Sequence, residues 1–155
     1  MVPGFGSAKL RTNMPIILAL ALQSVIEVPG PVRATLSAAC PSWRLAGVMP
    51  EISDEIRNRT PSWPPNLIPG DFDANGQVDV AVLVECGEKV ELLAFLASAS
   101  GFDKHVIEPS QAADPRQFVH LIQKEYGHDA IGVEYLAIGG HAWVYRDGAW
   151  RSIPR

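Results

Sequence analysis

Residues 71–84 read DFDANGQVDVAVLV, an acidic loop that runs directly into a strand rich in β-branched residues. Oxygen-bearing side chains alternate along the loop, and Gly76 permits a sharp turn in its middle. Calcium binds about six to eight oxygens from carboxylates, amides, backbone carbonyls and water. The predicted side-chain ligands are Asp71, Asp73, Asn75 and Asp79, and Gln77 would add its backbone carbonyl. The segment therefore predicts a calcium loop that leads into a central strand.

The flanking sequence distinguishes this loop from an EF-hand. An EF-hand loop lies between two helices and carries a bidentate Glu at its position 12, where this chain has Val82. Prolines in residues 61–70 exclude an entering helix, because proline lacks the N–H that a helix needs. The alternative interpretation is an acidic surface turn, since Asp, Asn and Gly are common in turns without metal. Three carboxylates without a cation would repel one another, which favours the calcium interpretation.

Residues 70–83, from Gly70 to Leu83, resemble the core of an FG-GAP or VCBS-type repeat. In that family the acidic loop binds calcium between strands of an extracellular β-propeller, so the resemblance implies the same five ligands named above. The motif occurs once in this chain, and a propeller needs several blades. The propeller and its adhesion role therefore do not carry over. The chain also resembles small exported bacterial proteins of unknown function that contain one such loop.

Residues 1–34 are predicted to be a signal peptide or N-terminal export segment. A basic start precedes an apolar run at residues 16–22, which is shorter than the roughly 20 residues of a membrane span. Cleavage would follow Ala34 or Ala39. The remainder, residues 35–155, would form a single domain that is exported to the periplasm or the extracellular space. The alternative is that the N-terminal segment is a buried helix of the fold.

Composition narrows the classes of partner. The chain has 155 residues, of which 47% are hydrophobic, which suits one domain with a packed core. The formal net charge of −4 gives no basic surface for nucleic acid, and no transmembrane span is predicted in the mature chain. The expected partner is a protein or a cell-envelope component. Cys40 and Cys86 could form a disulfide in an oxidising compartment, or Cys86 could be a small buried hydrophobe.

The remaining pattern predicts an α+β fold, a mostly antiparallel sheet with one main helix packed on it. This helix is predicted at Pro115–Tyr126, where Asp114 and Gln117 form a capping-box pattern before an apolar stripe. A second helical segment is predicted at Glu51–Arg59. Strands are predicted at residues 78–85, 90–97, 131–138, 141–146 and 149–153, and residues 98–111 are predicted to be a loop with a short strand around Val106 and Ile107.

The first functional hypothesis is a calcium-stabilised binding module without catalytic residues. No GxSxG, P-loop or HExxH motif occurs, which gives no support to an enzyme. Alternation in the last hairpin places Trp143 and Tyr145 on the same strand face, and Trp150 follows on the next strand. These three aromatic residues, here named the aromatic strip, are the candidate binding surface, unless they pack in the core.

Two other hypotheses remain open. A small exported hydrolase would use His141 or His128 with a carboxylate, and these residues would then have to line one concavity. An inhibitor of an envelope enzyme would present a rigid hairpin loop such as Arg146-Asp147-Gly148, and that loop would have to be exposed.

Overall fold

A computed structural model describes residues 27–59 and 63–155. The first of its two antiparallel sheets contains five strands and the second contains four. The helices are α1 (Gly30–Ala39) and α2 (Pro50–Arg59). The first sheet consists of β1 (Arg44–Leu45), β2 (Leu67–Gly70), β3 (Asp79–Cys86), β4 (Lys89–Ser98) and β5 (Gly101–Ala112), and the second of β6 (Gln117–Ile122), β7 (Ala130–Tyr135), β8 (Gly139–Arg146) and β9 (Ala149–Pro154). The α+β prediction is confirmed.

β3 is the central strand of the first sheet, as predicted for the strand that follows the acidic loop. It pairs with β4 on one side and with β2 and β1 on the other. All of its side chains from Asp79 to Val84 are buried, because both faces of the sheet are covered. A run of β-branched residues suits such a strand, since it packs well on a pleated surface that never meets water.

Two apolar cores lie on the two faces of this sheet. One lies between the sheets, where Leu83 and Leu92 of the first sheet pack with Ile131 and Val133 of the second. The other lies under α1, whose Val32 contacts the outer face of β3 and β4. Each such apolar side chain contributes roughly 1.5–3 kcal/mol when it is fully buried. The cores therefore order the layers as α1, first sheet and second sheet.

The predicted main helix at Pro115–Tyr126 is wrong, because this segment contains β6. The Asp114 side chain accepts a hydrogen bond from Arg116 N at 2.9 Å, and its carbonyl accepts one from Gln117 N, so Asp114 closes a turn. Burial then alternates, with Gln117 and Val119 facing inward. A short run of apolar residues fits both the helical period of about 3.6 residues and the strand period of two residues. Pairing with all six residues of β7 decides for the strand.

The predicted loop at residues 98–111 is also wrong, because these residues include the long edge strand β5. Most residues of β5 are exposed and many of them are polar, so the sequence does not predict a strand there. Pro109 is tolerated because an edge strand leaves backbone N–H groups unpaired. The register with β4 shifts twice near Leu92, which marks a β-bulge or irregularity. The helix at Glu51–Arg59 and the hairpins of residues 78–97 and 131–153 are confirmed in type and approximate position.

α1 places constraints on where the predicted export segment could end. Residues 1–26 lie outside the described residues, and the signal peptide stays a prediction. Cleavage after Ala34 would cut α1 between Val32 and Leu36, both of which are buried in the core under this helix. Among the described residues, no helix is long and apolar enough to cross a membrane.

Two long-range links hold the layers together. Cys40, after α1, forms a disulfide with Cys86 at the end of β3, with a Cα–Cα distance of 6.2 Å. This bond is consistent with an oxidising compartment and hence with export. Asn66, only 1% exposed, donates from Nδ2 to the carbonyl of Ala46 at 2.8 Å and accepts from Val119 N at 3.0 Å. It thereby connects the first sheet to the second.

Candidate metal centre

The acidic loop is the connection between β2 and β3. Gly70 and Asp79 pair directly across this hairpin, so the ladder holds the two ends of the loop side by side. Phe72, with 0% exposure, anchors the loop in the core, and a Cβ at Gly70 would lie 2.6 Å from its ring. Ala74 and Gly76 have φ of 60° and 82°, which gives the turn that the glycine predicted. The loop is therefore fixed at its ends and in its interior.

Three of the predicted ligands converge. Carboxylate oxygens of Asp71, Asp73 and Asp79 all lie within 4.8 Å of one another, in a group that could hold a metal ion. Each donor is a carboxylate oxygen, which is the ligand type that calcium and magnesium prefer. The structure therefore brings together three of the five predicted site residues in one partly buried cluster.

Asp79 is the buried member of the cluster. Its Oδ2 accepts from Phe72 N and its Oδ1 from Ala97 N, both at 2.7 Å, and the side chain is 0% exposed. Burial raises the pKa of this carboxyl to about 6, although the two backbone hydrogen bonds favour the ionised form. Ionised Asp79 thus carries a desolvation cost at neutral pH that a bound cation would offset.

Asp71 carries the least satisfied oxygen of the cluster. Its Oδ2 accepts from Gly76 N at 3.0 Å, whereas its Oδ1 is buried without a hydrogen-bond partner among the described residues. A buried acceptor without a partner costs roughly 1–3 kcal/mol, and more when it is charged. Asp73 is better satisfied, because Asn75 donates to it from both its backbone N and its side-chain Nδ2. The orphan oxygen of Asp71 is where a cation would gain most.

Asn75 and Gln77 lie in the same loop and remain predicted ligands. The Oδ1 of Asn75 accepts from Gln77 N at 2.7 Å, and its Nδ2 donates to the carbonyl of Ala97 at 2.7 Å. In this arrangement the Asn75 side chain ties the loop to the end of β4. The Gln77 side chain is exposed, and the prediction for this residue concerns only its carbonyl.

The second sheet also reaches the site, which the sequence did not indicate. Asp129, in the loop between β6 and β7, accepts a hydrogen bond on Oδ2 from Asp71 N at 3.1 Å. A small cavity of about 110 Å³ lies between the two loops. Its lining residues are Asp71, Ala74, Lys124, Gly127, His128 and Asp129. No local sequence signal could have joined residues separated by 58 positions.

A second polar group lies between β5 and β8, centred on Glu108. The Oε1 of Glu108 accepts from His141 Nε2 at 2.6 Å and from Trp143 Nε1 at 2.8 Å, and its Oε2 accepts from Gln117 Nε2 at 3.2 Å. The Glu108 side chain is 12% exposed and that of His141 is 27% exposed. Nearby, burial raises the pKa of the Tyr135 hydroxyl. The sequence gives no sign of this role for Glu108, because the polar sequence of β5 predicts a loop.

The aromatic strip packs in the core. Trp143, Tyr145 and Trp150 are partly buried and contact the core between the sheets. Tyr145 and Trp150 pack edge to face with ring centroids 5.2 Å apart, and Trp150 packs on Phe72 of the acidic loop at 6.1 Å. Of the two roles considered for these rings, the structure favours the one inside the fold.

Neither histidine of the hydrolase hypothesis lines the cavity between α2 and β6. This cavity, of about 490 Å³, has a largely apolar lining that includes Trp63 and Phe118. His128 lines the small cavity together with Asp71 and Asp129. His141 contacts Glu108 and lines neither of these two cavities.

No family model matches the chain, and no curated protein and no solved structure matches it.

Proposed function

We propose that this chain is an exported, non-catalytic binding module whose fold is stabilised by a calcium ion held at Asp71, Asp73, Asn75, Gln77 and Asp79. The observation that carries the proposal is the Oδ1 of Asp71, which is buried and has no partner in the described part of the chain, within a group of three converging carboxylates. Backbone N–H groups hold one oxygen of Asp71 and both oxygens of Asp79 in place.

Repulsion within the group supports a divalent occupant. Two unit charges 4.8 Å apart repel by roughly 3 kcal/mol at an effective dielectric constant of about 20. Three such pairs in one loop would be a substantial penalty without a cation. An ion of charge +2 at their centre converts each carboxylate from a source of repulsion into a ligand.

The donor set favours calcium over other divalent ions. The group contains neither His nor Cys, the ligands typical of zinc sites. Calcium tolerates irregular coordination and backbone carbonyls, whereas magnesium demands a near-octahedral shell and keeps its waters. The resemblance of residues 70–83 to FG-GAP and VCBS-type loops points the same way. The disulfide is consistent with an oxidising compartment, and calcium is abundant outside the cell.

Thermal unfolding of the full chain with excess calcium and with chelator tests the metal site. Calcium must raise the stability of the wild type by mass action, because only the folded state assembles the group. Asp73→Asn should lose most of this rise while keeping the turn, since the amide oxygen can still accept from Asn75 N. Glu88→Gln is the matched control, because it removes one exposed charge at the opposite end of the β3–β4 hairpin.

The same calcium response in Asp73→Asn and Glu88→Gln would contradict the proposed site. No calcium response in the wild type would show that the loop is an acidic turn alone.

The turn between β7 and β8 is the surface we propose for binding a protein or envelope component. Leu136 and Ile138 are 41% and 67% exposed, and both belong to this one turn. Backbone hydrogen bonds from Leu136 N to Arg116 and from Ile138 N to Tyr135 hold the turn in place. The double variant Leu136→Ser/Ile138→Ser should keep its unfolding temperature and lose saturable co-sedimentation with isolated cell envelopes. Val106→Ser, also at an exposed apolar position, is the control.

A hydrolase is the second candidate, because each histidine has a carboxylate nearby. His128 shares a cavity with two carboxylates, and His141 is held by Glu108 at 2.6 Å. Hydrolysis of p-nitrophenyl acetate or p-nitrophenyl phosphate that His128→Ala or His141→Ala abolishes would favour this candidate. His105→Ala, on the edge strand β5, is the control for an effect of imidazole alone.

An inhibitor of an envelope enzyme is the third candidate. The turn at residues 146–148 is exposed, and the Asp147 side chain has 89% of its surface in solvent. Asp147 and Gly148 have φ of 52° and 76°, which is typical of a rigid type I′ hairpin turn. Inhibition of a purified envelope enzyme that depends on the side chain at position 147 would favour this candidate.

A further inference from the structure

We propose that Asp129 is a positioning residue of the metal site, so that the bound ion joins the two sheets of the fold. This inference rests on the proposed calcium site. Its basis is the hydrogen bond from Asp71 N to Asp129 Oδ2 at 3.1 Å, which connects the first residue of the acidic loop to the loop between β6 and β7.

The contact acts on the residue whose carboxylate is least satisfied. Asp71 supplies the buried Oδ1 for which residues 27–59 and 63–155 offer no hydrogen-bond partner, and the orientation of this carboxylate depends on where its backbone is held. One backbone constraint comes from the β2–β3 ladder at Gly70, and the other comes from Asp129. Outer-shell groups of this kind fix the orientation of metal ligands.

Packing beside this hydrogen bond reinforces it. A Cβ at Gly70 would lie 3.0 Å from Cδ1 of Leu121, so the end of β6 lies directly against the start of the acidic loop. The two loops are therefore held together by an apolar contact and a hydrogen bond. A substitution at Asp129 would therefore alter the position of Asp71 although no residue of the acidic loop is substituted.

The cavity between the two loops gives space for the remaining ligands of the ion. Its volume of about 110 Å³ has room for several waters. Calcium needs about six to eight oxygens, and the loop alone offers five residues for this purpose. Waters in this cavity would lie between Asp71 of the first sheet and Asp129 of the second. The ion and its water shell would therefore join the sheets.

The negative charge of Asp129 also favours a cation in the cavity between the two loops. Its carboxylate places a fourth negative charge beside the group, and Lys124 lies on the same cavity wall. The cavity wall carries two carboxylates, those of Asp71 and Asp129, against the single ammonium of Lys124, so a cation is favoured there over an anionic ligand. The cavity is therefore part of the cation site, and an anion is not its expected occupant.

Calorimetric titration of the full chain with calcium tests the inference by comparing the wild type with three variants. Asp129→Ala should bind calcium about tenfold more weakly than the wild type, because Asp71 loses its anchor. Asp129→Asn should recover most of that loss, because its amide oxygen can still accept from Asp71 N. Asp54→Asn, an exposed acid on α2, should match the wild type.

Hydrogen exchange in the wild type supplies a readout that needs no variant. Calcium should slow amide exchange in residues 71–79 and also in residues 123–129. Slower exchange in the first segment alone, or calcium affinity of Asp129→Ala within twofold of the wild type, would overturn the inference and leave the calcium site standing. If the wild type binds no calcium, the proposed function fails and this inference fails with it.

Discussion

The buried carboxyl of Asp79 makes the pH dependence of stability change with metal occupancy. In the metal-free protein the pKa of Asp79 is raised from the usual 3.8 to about 6 by burial. The folded state then binds a proton more tightly than the unfolded state does. Stability from this group is therefore complete below about pH 4 and is lost as the pH rises through about 6.

The size of the loss follows from the two pKa values. The interval between 3.8 and about 6 corresponds to about 3 kcal/mol, since one pKa unit is worth about 1.4 kcal/mol. A bound calcium ion keeps the carboxyl ionised at both ends of this range, so the loss disappears. The stabilisation that calcium provides should therefore be larger at pH 7 than at pH 4, by an amount on the order of 3 kcal/mol.

Urea unfolding at half-unit pH steps between 4 and 7 measures the free energy of unfolding as a function of pH, once in chelator and once in excess calcium. Other groups also titrate in this range; the hydrogen bond from Arg44 lowers the pKa of Glu85, for example, which stabilises the folded state as the pH rises. Asp79→Asn removes the Asp79 titration alone, so the difference between wild type and variant isolates its contribution. The reasoning is refuted if the wild type in chelator loses no stability relative to Asp79→Asn between pH 4 and 6.

Three further predictions concern the links between layers. Asn66→Ala should lower the free energy of unfolding by about 3 kcal/mol in urea titrations, because two buried hydrogen bonds are lost at a residue with φ of 65°; an effect below 1 kcal/mol would contradict this. Cys40→Ser/Cys86→Ser should lower the free energy of unfolding by about 4 kcal/mol in the same titrations, the chain-entropy value for a separation of 46 residues; a loss below 1 kcal/mol would contradict this. A chain beginning at residue 35 should unfold roughly 3 kcal/mol more easily than one beginning at residue 27, since it lacks the buried Val32; equal melting temperatures would show that α1 adds nothing.

Local signals predicted the acidic loop, the central strand and the terminal hairpins. The loop could be recognised because its predicted ligands lie within nine residues, and the turn at Asp147 because two consecutive positive φ angles need Asp and Gly. These features depend on residues that are close in sequence. The fold class was predicted from segregated helix and hairpin signals, and it is confirmed although the segment predicted as the main helix contains β6, because α1 and α2 supply the helices.

The wrong prediction of a helix and the unpredicted contacts depend on residues that are far apart in sequence. Residues 117–122 became a strand because β7 was available to pair with them, and a pairing partner is not visible in a local pattern. Glu108 meets His141 from 33 positions away, and Asp129 meets Asp71 from 58 positions away. Each of these contacts requires the two sheets to be placed against each other first. A single sequence holds no local sign of such placement.

The links in this fold converge on the two ends of β3. At its start, Asp79 receives hydrogen bonds from the acidic loop and from β4, and the proposed ion would add the second sheet through Asp129. At its end, Cys86 is bonded to the segment after α1. A strand buried on both faces and tied at both ends cannot shift register without breaking one of these links. The proposed ion and the disulfide therefore stabilise the same strand, and neither involves the exposed turns at residues 136–138 and 146–148, where binding is proposed.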